Sequence, residues 1–107
     1  MAGSIFFANN TWSSKSSATF YVFDFLIDRL PEGGAKSQLE EFVENNIAML
    51  DLRNPDQAKL VDLIADDLPQ HLEATEDPAR RENLHRLLDD LILLAKEQQA
   101  YNGKAHR

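Results

Sequence analysis

Cysteine is absent from the 107-residue chain. That excludes disulfide staples, thiolate nucleophiles and cysteine-type zinc sites in one step, and it suits a reducing compartment. Glycine and proline are scarce, at four each, and neither a glycine-rich phosphate loop nor a Gly-x-Ser-x-Gly elbow occurs. Long apolar runs are missing as well. The most apolar stretch, Phe20 to Ile27, is interrupted by Asp24 and is far too short to span a bilayer. The N-terminus has no basic signal region and no glycine at position two for myristoylation, so the expected compartment is the cytoplasm.

Positive charge is in deficit: 11 Lys and Arg stand against 18 Asp and Glu, a net charge of −7. Such a balance repels nucleic-acid backbones and anionic membranes, both of which need a basic footprint. It favours encounter with a basic protein surface where the acids cluster, and otherwise serves solubility.

What remains is ample material for a core. The hydrophobic fraction is 43%, and the length suits one domain over residues 1–107. Residues 1–16 read as an N-terminal extended arm, with a possible short strand at Ile5-Phe6-Phe7 and a turn at Asn9-Asn10. A first helix is expected over 17–30, capped by Ser16 or Ser17 and stopped by Pro31. Phe20, Phe23, Ile27 and Leu30, flanked by Val22 and Leu26, give its apolar face, although Tyr21, Phe23, Phe25 and Ile27 also alternate as a strand would.

A second helix is expected over 37–52. Ser37 and Glu40 have capping-box spacing, and Leu39, Phe42, Val43, Ile47 and Leu50 form a stripe that places Asn46 within it as a buried register residue. A third helix, 55–74, starts at the cap Asn54 with Pro55 at its first position, and Pro69 marks a kink or restart. The fourth, 78–101, starts at Asp77-Pro78 and is roughly 35 Å long. Asn102-Gly103 is its expected stop, ahead of a frayed tail over 102–107. The expected fold class is therefore all-α, a four-helix antiparallel bundle-like domain.

Chemical candidates are thin. Glu82 and His85 make one Glu-x-x-His pair, where a carboxylate-bridged di-iron bundle needs two. His71 and His85 together are the remaining basis for a metal or acid–base site, but they lack local ligand spacing. Asp66-Asp67 and Asp89-Asp90 are sequence neighbours, and neighbours on a helix point about 100° apart, so neither pair is a dyad. Hence no cofactor, no metal and no enzymatic activity are expected.

Residues that break the apolar pattern are more informative. Tyr21 and Phe25 lie off the main face of the first helix beside Asp24 and Asp28. Leu63 lies off the third stripe between Asp62 and Asp66, and Leu93 projects from the charged side of the fourth helix. Apolar anchors within a charged rim are what a protein-binding patch needs. Alternatively, Phe6, Phe7 and Trp12 of the arm cover Tyr21 and Phe25. The expected function is a non-enzymatic protein-binding module, in its most concrete form a small acidic inhibitor of immunity or antitoxin type. Its partner would be a basic protein such as a toxin or nuclease domain. A homodimeric structural or regulatory module pairing through the fourth helix is the alternative.

Overall fold

In a computed structural model, which describes residues 2–105 (backbone only at 55, 104 and 105), the N-terminal arm is a β-hairpin. Strand β1, Ala2–Phe6, pairs antiparallel with β2, Thr11–Lys15, with Ile5 opposite Trp12. Helix α1, Ser16–Arg29, follows directly, and helix α2, Gly34–Glu44, precedes a third strand, β3, Met49–Asp51. That strand pairs parallel with β1, placing Leu50 beside Ile5, so the order is β2-β1-β3 with β1 at the centre. The architecture is α+β, a three-stranded mixed sheet with helices, and the expectation of an all-α four-helix bundle is overturned.

Alternation explains why a sheet of such modest β propensity holds. Gly3, Ile5, Trp12 and Leu50 point inward and are buried, whereas Thr11, Ser13, Met49 and Asp51 point outward and are exposed. On the outer face Arg53 grips Asp51 through two short hydrogen bonds, 2.8 and 2.9 Å, which hold its carboxyl down at about 2. The inner face packs on α1. At Gly3 the approach is close enough that an added Cβ would lie 2.7 Å from the Thr19 Cβ.

The second expected helix, 37–52, is corrected at both ends. It begins a turn early because Gly33 takes φ 155°, a conformation open to glycine, and launches the helix at Gly34. Ser37 is consequently inside the helix, and no side-chain cap forms. The helix ends at Glu44 because Asn46 adopts the left-handed conformation, φ 61°. Its N–H donates to Val43 and the next, Ile47 N–H, donates to Phe42 at 2.8 Å, the paired bonds of a Schellman stop. Asn46 is therefore an exposed stop signal and not a buried register residue.

The third helix, α3, is a continuous composite: a 3-10 turn Pro55–Gln57, an α-helical segment Ala58–Asp62, a π-helical stretch Leu63–Asp67 and a final α-helical segment Leu68–Glu73. Asn54 caps it as expected, its Oδ1 accepting the Asp56 N–H at 2.9 Å. The wide π turn, with Leu68 N–H bonded five residues back to Leu63, accommodates Pro69, whose ring would collide with the carbonyl of Ala65 in a tighter helix.

Helix α4, Pro78–Ala105, starts on Asp77, whose Oδ1 accepts the Ala79 N–H at 3.0 Å. At about 1.5 Å per residue its 28 residues account for the 42 Å long axis. It continues past the expected stop because the Asn102 side chain is buried and bonded to Gln98. The rest of the expected frayed tail, 106 and 107, lies outside the described residues, as does Met1 of the arm. Among the described residues, no helix is long and apolar enough to cross a membrane. One core joins Val22, Phe23 and Leu26 of α1, Val61, Ile64 and Leu68 of α3, Leu88 and Leu91 of α4, and Ile5 and Leu50 of the sheet.

Candidate functional site

Backbone polarity identifies an open edge on the sheet. Phe7 N–H donates to Asn10 at 2.8 Å, which makes 7–10, 5–12 and 3–14 the hydrogen-bonded pairs of the hairpin. The even residues of β1 turn the other way, Ser4 N–H to Ala48 and Leu52 N–H to Phe6, both at 2.8 Å. It follows that Thr11 and Ser13 on β2 direct their amides and carbonyls away from the sheet.

Helix α4 runs beside that edge without closing it. Between them lies a groove of about 450 Å³, with Trp12, Ser13 and Ser14 on one side and Leu87, Asp90, Leu93 and Leu94 on the other. Leu84, Leu88, Leu91 and Ala95 are buried, so Leu93, turned about 100° from its neighbour Ile92, is left 57% exposed in the groove. Leu87 also lines a further depression of about 210 Å³ next to Lys15, Tyr21 and Arg80. At the other end Leu94 meets the hairpin tip beside Asn9 and Glu97. The groove and the depressions at its two ends, of which the one at the hairpin tip holds only about 10 Å³, form an interrupted channel along β2, and helix and strand run in opposite directions along it.

The structure separates the expected site residues. Leu93 and Tyr21 lie along this channel. Tyr21 is half-buried, and burial raises its phenol above the usual tyrosine range. Phe25 is only 3% exposed, enclosed by the Arg29 guanidinium 4.3 Å from its ring centre and by the His71 ring at 5.1 Å. Asp24 and Asp28 are exposed beside it without an accessible aromatic anchor. Leu63 is 7% exposed and belongs to the core. Its neighbours Asp62 and Asp66 both accept from the Gln99 Nε2, at 2.9 and 3.0 Å, and so tie α3 to α4. The two surfaces built on Phe25 and Leu63 thereby lose their apolar centres. The reason is shared: α1 and α3 are each covered on more than one side, so their buried arcs exceed the single stripe read from spacing.

The histidines occupy different settings. His71 packs against Tyr21 and Phe25, and burial, aided by Arg29, lowers its affinity for a proton. His85 stands between two acids. Its Nδ1 is 2.9 Å from Asp89 Oδ1, and its Nε2 is 2.7 Å from Glu73 Oε1, an ion-pair contact that lies off the ring N–H direction. The Asp89 hydrogen bond is the chief cause of a raised His85 pKa, with Glu73 adding to it against some desolvation. Because the carboxylates meet opposite ring nitrogens, they cannot share one ion with it. Among the described residues no group of three or more such side chains is placed to hold a metal.

A second cleft, about 260 Å³, is invisible to helical spacing because most of its lining falls within the expected helix 37–52. It lies at the free edge of β3, where Phe42, Ile47 and Met49 meet. Ile47 and Met49 are 40% and 53% exposed. The only sequence signal for this arrangement was Asn46 as a left-handed stop. Comparison of the chain with family models, with characterised proteins and with solved structures found no match.

Proposed function

We propose that this chain is a non-enzymatic protein-binding module whose recognition face is the channel between β2 and α4. In the concrete form the composition favours, it is an acidic inhibitor that acts in the cytoplasm by occupying a basic partner protein. The observation that carries the reading is Leu93, a large apolar side chain 57% exposed inside a groove bordered by unpaired strand backbone. Protein interfaces have this anatomy, an apolar centre with a polar rim around it. The net charge of −7 supports a basic partner and an on-rate that falls with added salt.

A photo-crosslinking residue placed at position 93, with the exposed position 24 on α1, outside the groove lining, as control, tests this in the native host. The expected result is a protein adduct formed from position 93 and not from 24. Reconstituted with purified components, that complex should weaken by tenfold or more when Leu93 becomes Asp, and should weaken with salt. Adducts formed equally from both positions, or adducts only with a second copy of the chain, would remove the inhibitor reading. The latter outcome would favour the homodimeric module.

A further inference from the structure

We propose that the channel takes one extended segment of the partner as an added strand on β2, running antiparallel to it, with acidic residues near its start and basic residues near its end. This rests on the protein-binding reading above and specifies its mode. The first support is the free edge: Thr11 and Ser13 present unpaired amides and carbonyls, and a strand is the ligand that satisfies them in register. The second is the wall. Leu87, Leu93 and Leu94 lie along the groove opposite that edge, where alternate side chains of an added strand would find apolar contact.

The third support is charge, and it selects the occupant. One end of the channel is basic, with Lys15 and Arg80 flanking Tyr21 and Arg86 a step further along. The other end is acidic, with Asp90 in the groove and Glu97 at the hairpin tip. Among the described residues Arg86 is held by an exposed 3.5 Å contact to Glu82, a weak tie that leaves it able to engage a ligand carboxylate. Antiparallel pairing is the more stable arrangement per residue. A strand opposed to β2 enters at the Lys15–Arg80 end and leaves at the hairpin tip, which places its acids first and its basic residues last.

Panning a display library of random nine-residue peptides on the full chain, followed by synthesis of the enriched peptides, tests the proposal. Enriched peptides should carry Asp or Glu in the first third and Lys or Arg in the last. On saturation the Thr11 and Ser13 amides should exchange at least tenfold more slowly with solvent. N-methylation of alternate peptide amides should weaken binding by tenfold or more, and so should Leu93→Asp. Peptides that bind in a Leu93-dependent way but leave the Thr11 and Ser13 amides unprotected would overturn strand addition while leaving the protein-binding face intact. No enrichment, or binding indifferent to Leu93→Asp, would overturn both. Concentration-dependent protection of those amides in the chain alone would make a second copy the occupant and equally overturn the proposal.

Discussion

Gln98 accepts a hydrogen bond from the Ala8 backbone N–H at 2.7 Å, so the hairpin tip near the start of the chain is fastened to the last helix. The same side chain donates to Asn102 Oδ1 at 2.9 Å, and both amide side chains are buried. Gln98→Leu keeps the volume but leaves the Ala8 donor and the Asn102 acceptor without partners. The expected loss is about 1–3 kcal/mol, read as a lower urea midpoint at unchanged slope. Exchange at the Phe7 amide should quicken in parallel. An unchanged midpoint would show that the hairpin is held without this bond.

Glycine matters at position 3 for lack of space and not for its dihedral angles. An added Cβ would sit 2.7 Å from Thr19 Cβ and 3.1 Å from Ala48 Cβ, both belonging to backbone-anchored groups that cannot swing aside. Gly3→Ala should therefore destabilise by about 1–3 kcal/mol, the usual cost of overpacking. Gly34→Ala, where an added Cβ would meet no atom from elsewhere in the fold within 4 Å, should be neutral or slightly stabilising in the first turn of α2. Equal melting temperatures for the two variants would contradict the close packing of α1 on β1.

Leu88, Leu91 and Leu93 share a helix and differ in surroundings. The first two are fully buried and the third faces the groove. Leu88→Ala and Leu91→Ala should each cost roughly 2–5 kcal/mol, whereas Leu93→Ala should cost well under 1 kcal/mol, as surface substitutions do. Chemical denaturation of the three variants checks this. A loss at Leu93 equal to the others would mean that the groove is closed in solution.

The two histidines should pull stability in opposite directions with pH. His85 has its pKa raised by Asp89 and Glu73, so its contribution is complete below the unfolded value of about 6.5 and is lost as pH climbs through the raised folded value. His71 has its pKa lowered by burial and Arg29, so folding disfavours its proton. Its contribution is present above about 6.5 and is lost as pH falls through the lowered value. In melting curves across pH 5 to 9, His85→Gln should therefore lower the midpoint more at the acid end than at the alkaline end. His71→Gln should lessen the acid-side decline. Parallel shifts at every pH would refute both assignments.

Some local signals in the chain are legible, although the expected caps at Ser16 or Ser17 and at Ser37 do not form. Asn54 and Asp77 cap as their side-chain chemistry dictates, and Pro31 stops α1 one residue after Leu30 has turned extended. The sheet was not legible. Thr11-Trp12-Ser13-Ser14-Lys15 carries one large apolar residue, and its strand form is imposed by pairing with β1. Val43, Ile47 and Leu50 keep helical spacing across Asn46, so period alone joined α2 to β3. Leu93 stands out from its stripe in the sequence, but the groove around it requires β2, which the spacing leaves unresolved within the extended arm over 1–16.

The fastening of Ala8 to Gln98 also has a consequence for synthesis. The hairpin is synthesised well before the helix that flanks its free edge. At translation rates of about 5–20 residues per second, β2 waits on the order of ten seconds before α4 can dock beside it. Its outward amides stay free after docking, but during that interval they also lack the flanking wall of α4 and are open to any neighbouring nascent strand, with Lys15 as the edge's own charged deterrent. Slow codons between Leu52 and Leu84 would lengthen this exposure, and fast ones would shorten it. The yield of intact protein should thus depend on translation speed through the middle of the message.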